Sequence, residues 1–496
     1  MGQDGLTSSV DMVHPALDDC YWQKFTDAGG IVIYTRPMVA GEGTLDQVHQ
    51  LMNGHDQFAF GATLQTNLPL NTIEKRLLDA LVRLRYYSPI IAAQPQVGIH
   101  DHELRSWVYA PLRDSNAAAA WARKVLIIQT PTNELPDPET HLRNIVKRPL
   151  PPGEILQVHL IGPYQDGQFT LITYKSHALA EGQAAIDLLA TLLDWILNPV
   201  GVDFVWGQEW QNLLPGAVVV IGGEKQGWDE ESPRMLAENA RNFTFEKPAH
   251  ALRPQRKSIT KLGDIVRVHR QLDETTVLRL VKAVKSESIS ITQLFEAAHA
   301  IATYEIEPLP PKELAESHIR YFPCIISTRH LRQPPYNKRE LVSNLNTAFT
   351  QIIPATLHSD KPTTRERVLA VARAVKENYQ AFMSSPHHPL ILAAETKMYP
   401  FRGPLGVDIN ENTGEIIGLG VIDNRLPLSW SSADNQDKIR IRDVHVGLRQ
   451  CTKRPMVHVW TLEGKLRLQV QASDVWDESY LERFLDEVIK SALSIC

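Results

Sequence analysis

The spacing of apolar residues divides the chain into two stretches of mixed α/β texture separated by a less regular middle. Phe58–Thr66 reads as a strand, and Thr72–Arg85 carries Ile73, Leu77, Leu78, Leu81 and Val82 at helical spacing. Ser88–Ala92 reads as a second strand, residues 105–110 as a third, and Ala117–Arg123 as a helix. A hairpin follows, in which Ile155–Ile161 and Phe169–Tyr174 flank Gly162-Pro-Tyr-Gln-Asp-Gly167, a strong turn signal. Gln183–Leu197 is the next amphipathic helix. The residues ahead of Phe58 are mixed and glycine-rich, which predicts a partly ordered lead-in.

Residues 215–262 hold a Gly-Gly pair, several prolines and mixed charge with little periodicity, and read as a crossover. Strand and helix patterns then resume. Ile265–Arg270 and Tyr321–Thr328 are strands, while Glu274–Lys285, Ile291–Ala302 (with Ser290 as its N-cap) and Arg365–Met383 are helices. Strands at Ile416–Val421, Ile439–Val446 and Met456–Thr461 follow, then a hairpin turning at Glu463-Gly464 and a closing helix over Glu478–Leu493. The expected division is a domain over 1–213, a linker over 214–262 and a second domain over 263–496, with a site in the cleft between the halves.

A length of 496 residues exceeds one ordinary core and fits this division. With 43% hydrophobic and 22% charged residues the composition is that of a soluble globular protein. A net charge of −6 argues against nucleic acid as the main partner, because phosphate binding needs a clustered positive surface. The basic run Arg253–Lys257 reads as a solvated linker. Cys20, Cys324, Cys451 and Cys496 are scattered without a C-x-x-C pair, which points to a reducing, cytoplasmic setting with neither a disulfide frame nor a thiolate metal site. The longest apolar run, Ala184–Leu197, is broken by Asp187 and Asp194, so no membrane span is expected.

The candidate chemistry gathers at the exit of the 155–174 hairpin, in Tyr174-Lys-Ser-His-Ala-Leu-Ala-Glu-Gly182. The run places His177 on a strand-to-helix turn, with Glu181 four residues later and Gly182 behind it. An imidazole there suits a general base, since both of its protonation states are accessible near neutrality. Ser176 and His177 do not form a nucleophile–base pair, because adjacent side chains on an extended segment point to opposite faces. Other candidates carry less. His100-Asp-His102 lacks a third ligand nearby in sequence, His387-His388 between prolines reads as a turn, and Gly222–Gly227 lacks the G-K-[ST] ending of a phosphate loop.

Four segments in order carry a resemblance: Leu77–Arg85 ahead of Ser88-Pro-Ile-Ile, His177–Gly182, Trp206–Leu213 and Ile422–Pro427. On these the chain resembles the fungal trichothecene 15-O-acetyltransferase family, a branch of the CoA-dependent acyltransferase (H-x-x-x-D) and condensation-domain superfamily. It departs from the family pattern at Glu181, where an aspartate is usual. The resemblance implies an α/β fold of two chloramphenicol-acetyltransferase-like domains around a solvent channel, with His177 at its middle. It implies base-catalysed transfer from acyl-CoA, acetyl by default, to a hydroxyl of a fungal secondary metabolite such as a terpenoid or polyketide. It brings in no metal, no bound cofactor and no covalent acyl-enzyme, and a monomer is expected.

The same resemblance makes Glu181 a structural ion-pair partner, with Arg329 or Arg332 as its cation, and Gly182 a close-packing position. Asp423, Asn424, Arg425 and Trp430 align with a late signature that shapes the channel. The glutamate leaves a second reading open, in which the fold has lost acyl transfer and catalyses a cyclisation or pericyclic step. A non-catalytic binding protein is a third.

Overall fold

The computed structural model describes residues 20–26, 29–97, 105–164, 167–199, 201, 203–241, 249–354, 363–398 and 414–496. Its strands form four sheets. The largest has six strands in the order β13 (Ser429–Ser431), β14 (Lys438–Leu448), β3 (Phe58–Thr66), β8 (Phe169–Lys175), β7 (Leu156–Ile161) and β6 (Leu126–Gln129). A second runs β12 (Glu415–Val421), β15 (Met456–Leu462), β16 (Lys465–Ser473) and β9 (Ile265–Leu272). The smaller sheets are β1 (Gln23–Thr26), β2 (Val32–Pro37), β5 (Arg105–Tyr109) and β4 (Gln94–Val97), and the pair β10 (His318–Ser327) with β11 (Asn346–Pro354).

The two large sheets are mixed. β6 runs parallel to β7 and β12 parallel to β15, while their other pairings are antiparallel. The chain does not keep its halves apart. β14 pairs with β3 from Ile439↔Thr66 to Leu448↔Phe58, so a strand from the last quarter of the sequence completes the sheet of the first.

Helices cover these sheets. In the first half they are α1 (Gly41–Leu51), α2 (Leu70–Tyr87), α3 (Ser115–Val125), α4 (Pro138–Val146) and α5 (Gly182–Leu197). After them come α6 (Ala217–Val220), α7 (Trp228–Arg241), α8 (Glu274–Ser286), α9 (Ile291–Ile306) and α10 (Pro311–Glu316). Three more span Thr364–Met383, Ile391–Met398 and Glu478–Leu493. α5 is buried along nearly its whole length and packs with α2 into the first core. α9 does the same in the second core, between the Thr364–Met383 and Glu478–Leu493 helices. Among the described residues no helix is long and apolar enough to cross a membrane.

One expectation from the sequence is corrected, and two others gain detail. Ser88–Ala92 is no strand, because Pro89–Ala92 forms a short 3-10 helix off the end of α2. Proline suits a first helical turn, and a short apolar run cannot by itself separate strand from buried helix. The lead-in contains ordered structure, β1, β2 and α1. There a bidentate Arg36–Glu42 pair, buried at both ends, ties β2 to the start of α1 despite the poor helix propensity of Gly41 and Gly43. The crossover is partly helical. α7 begins with Asp229, Glu230 and Glu231 at its positive end and buries Trp228, Met235 and Leu236 in a third core with Leu390 and Ile391.

Candidate active site

β8 and the turn after it place the motif. Lys175 ends the strand fully buried, Ser176 and His177 follow, and Glu181 caps the helix that starts at Gly182. The Glu181 carboxylate accepts a hydrogen bond from Gln183 N, as an N-cap side chain does. The His177 ring stacks on Phe58 of β3 at 5.4 Å between centroids, and its backbone carbonyl accepts from Asn344 Nδ2 at 2.8 Å. Its Nδ1 is enclosed without a hydrogen-bond partner. Burial lowers the His177 pKa to about 4, helped by the positive charges of Lys175 and His55. The imidazole is therefore neutral at pH 7 and can accept a proton.

Behind the turn lies a network of buried ions. Arg329 Nη1 is 3.1 Å from Glu181 Oε1, its Nη2 is 3.3 Å from Asp187 Oδ2, and Nη1 also donates to Ser343 O. Arg425 Nη1 reaches both oxygens of Asp187 at 3.1 and 3.0 Å. Burial outweighs the guanidinium and pushes the Glu181 carboxyl above the ordinary range. Arg332 stands apart and donates weakly to Leu341 O, its pKa lowered to about 10 by burial and by Arg329. A Cβ at Gly182 would lie 2.8 Å from Leu419 Cδ2. Leu419 sits where the β12–β15 register skips a residue between Gly418 and Gly420, a bulge that aims its side chain at the start of α5.

His177, Glu181 and Gly182 line a cavity of about 550 Å³ between the two large sheets, a volume suited to a small molecule. α1 supplies Gly41, Thr44, Leu45 and Val48 to its wall, and Met52, His55 and Asp56 follow. The second half supplies Gln293 and Glu296 of α9, Ile325–Ser327 of β10, Ile416–Leu419 of β12 and His458 of β15. Asp423, Asn424, Arg425 and Trp430, the residues expected to shape the channel, are not among those that line this cavity. Asp423 accepts from Glu463 N, Trp430 donates to Pro427 O, Asn424 is exposed, and Arg425 acts through Asp187. These contacts tie the segment to the Glu463 turn and to the ion network at Asp187.

His49, Asp56, Glu415, Arg454 and His458 carried no sequence signal, being distant in the chain from the motif. Ser176 Oγ bonds His49 Nδ1 of α1 at 3.0 Å, and burial lowers the His49 pKa to about 3 and the His458 pKa to about 3. Arg454 pairs with Glu415 at the cavity wall, where burial pushes Glu415 and Asp56 upward against the pull of that guanidinium. Lys175 Nζ sits 4.4 Å over the Phe58 ring, and burial lowers its pKa to about 7. Among the described residues no group of histidine, cysteine and carboxylate side chains is arranged to hold a metal ion, and His100-Asp-His102 lies outside the described residues.

No family model matches the chain. Among known proteins it is similar to the acyl-CoA-dependent acyltransferase MAC1 of Pseudozyma antarctica, with 22% identity over 305 residues. It is also similar to the O-acetyltransferase pigM of Monascus ruber, with 24% identity over 209 residues. These matches cover 56% and 40% of this chain, and the chain spans 55% and 36% of the relatives' own lengths. Similar solved structures include the TRI3 trichothecene 15-O-acetyltransferase of Fusarium sporotrichioides, at 16% identity with a TM-score of 0.77, covering 97% of this chain and 99% of that one. The starter condensation domain of rhizomide synthetase RzmA, solved with C8-CoA, matches at 11% identity and a TM-score of 0.57, covering 93% and 94%. The resemblance read from the motifs holds at the level of the fold: the chain has the fold of these acetyltransferase and condensation-domain structures.

Proposed function

We propose that this protein is an acyl-CoA-dependent O-acyltransferase that esterifies, by default acetylates, a hydroxyl of a fungal secondary metabolite such as a terpenoid or polyketide. The observation that carries the reading is the neutral, half-buried imidazole of His177 at the wall of a cavity large enough for a small molecule. His177 takes the proton of the acceptor hydroxyl as its oxygen attacks the thioester carbonyl. The carbon–sulfur bond then breaks, and the departing CoA sulfur receives the proton. Such base catalysis is worth roughly 10²–10⁴-fold, and holding the two reactants together supplies much of the rest. Glu181 and Arg329 hold the turn and take no part in proton transfer. The cytoplasm is the proposed compartment.

The cyclisation reading rested on glutamate in place of aspartate. Glu181 reaches Arg329 and caps α5 at once, so the exchange does not favour that reading. The test measures CoA thiol release from acetyl-CoA with a panel of hydroxylated terpenoids and polyketides, alongside the melting temperature with CoA. Wild type is expected to release thiol with at least one acceptor. His177→Ala should still be stabilised by CoA while release falls by about 10²-fold or more. A folded wild type that neither binds CoA nor releases thiol would sink the proposal.

A further inference from the structure

The inference concerns α9, and it rests on the acyltransferase reading of the cavity. Residues Leu294–Tyr304 of this helix are buried without interruption, and Leu294, Phe295, Ala297 and Ala298 belong to the second core. Glu296 sits among them at 2% exposure and lines the cavity together with Thr292 and Gln293. A carboxyl group in such a helix is costly unless it is hydrogen-bonded. Only half of it is. Oε1 accepts from Tyr379 Oη at 2.6 Å, whereas Oε2 is enclosed and has no hydrogen-bond partner.

Burial pushes the Glu296 pKa up to about 8, so the group carries its proton at pH 7. Tyr379, Tyr321 and Cys324, the titratable groups that act on it or are acted on by it, are themselves held neutral by burial. With Oε1 occupied by the tyrosine hydroxyl, the proton belongs on Oε2. A buried carboxylic acid of this kind is a hydrogen-bond donor, and the partner it lacks is an acceptor oxygen. Much of the remaining wall is apolar, including Val48, Met52, Leu392 and Ile417.

We propose that Glu296 is a specificity-determining residue, whose Oε2 donates a hydrogen bond to a carbonyl, ether or hydroxyl oxygen of the bound small molecule, away from its reacting centre. Two sources offer that chemistry. One is a second oxygen on a largely apolar acceptor, and the other is an amide carbonyl of the pantetheine arm of acyl-CoA.

The experiment compares full-length wild type, Glu296→Leu and Glu296→Gln by steady-state thiol release, varying acetyl-CoA and an acceptor that wild type turns over. Unfolding midpoints are recorded in parallel. Glu296→Leu is expected to raise one KM by about tenfold or more with kcat little changed, the scale of one lost buried hydrogen bond. Glu296→Gln, whose amide still donates, should keep that KM within about threefold. A rise for the acceptor that disappears with an analogue lacking the second oxygen assigns the contact to the acceptor. A rise for acetyl-CoA, with weaker CoA binding by calorimetry, assigns it to the pantetheine arm. Unchanged KM values for both substrates in Glu296→Leu overturn the inference. So does an equal loss in both variants that tracks a fall in unfolding midpoint, since that marks a structural role. Failure of wild type to release thiol with any acceptor overturns the acyltransferase reading instead.

Discussion

Burial lowers the proton affinity of His177, and the charge of Lys175, two residues away, lowers it further. The acid limb of kcat/KM is therefore expected near pH 4 rather than near the 6.5 of an ordinary imidazole. Lys175→Met removes a buried positive neighbour and should move that limb upward; a limb that stays in place would show that burial alone sets it. Arg329 answers to two carboxylates, Glu181 and Asp187. Arg329→Met leaves both without that cation and should cost about 3–5 kcal/mol in denaturant unfolding. Arg425→Met should cost clearly less, because Arg425 is 38% exposed. His177 and Glu181 stood out in the sequence because they share one contiguous motif, whereas Arg329 came from the family resemblance, with Arg332 as its alternative. His49, Asn344 and Arg454 were not, because only tertiary folding brings their segments to the turn.

Elements were legible where periodicity was long and undisturbed, as in α5, α8, α9 and the hairpin that turns at Glu463 and Gly464. Both of those turn residues have positive φ, the geometry a two-residue hairpin requires. α1 was hidden by its two glycines, and α7 by a crossover rich in proline and mixed charge. Glu296 did leave a trace, a single carboxylate inside the mostly apolar stretch of α9, but one such residue in a sequence reads equally as a helix face turned to solvent. The start of α9 makes its own prediction. Ser290 and Gln293 form a reciprocal capping box, so Ser290→Ala should lower stability by about 1 kcal/mol. A midpoint shift much smaller than that would mean the cap is replaced by solvent. Gly182→Val should lower both activity and the unfolding midpoint, since its side chain meets Leu419, which belongs to the first core and also lines the cavity.

Taken over the whole molecule, buried titratable groups give a pH dependence whose sign follows from their direction of shift. His49, His55, His159, His177, His299, His445 and His458 all have pKa values lowered by burial, to between about 3 and about 4. The unfolded chain takes up those protons first as pH falls below 6.5, so their contribution is complete above that value and is lost on the way to pH 4. Glu296 and Glu395, raised to about 8 and about 7, and Glu415, Asp56 and Glu181, also pushed upward by burial, work the other way and favour the folded state as pH falls from 8 to the ordinary carboxylate range. The histidines outnumber them, so the urea midpoint should be lower at pH 5 than at pH 7. An equal or higher midpoint at pH 5 would mean that the carboxylates dominate. The mixed α/β plan was visible in the sequence. The exchange of β13 and β14 between halves was not, because strand patterns give no partner.

That exchange bears on the order in which the chain is made. β3 emerges from the ribosome early, and β8 can pair with one of its edges within about a hundred further residues. The other edge, Phe58–Thr66, has to wait for Lys438–Leu448. Through most of synthesis the nascent protein thus carries an apolar strand with its backbone groups unpaired on one side, the kind of edge that recruits other chains. Translation arrested before residue 438 should yield a species that aggregates or stays bound to a chaperone, and release of a few tens of residues more should clear it.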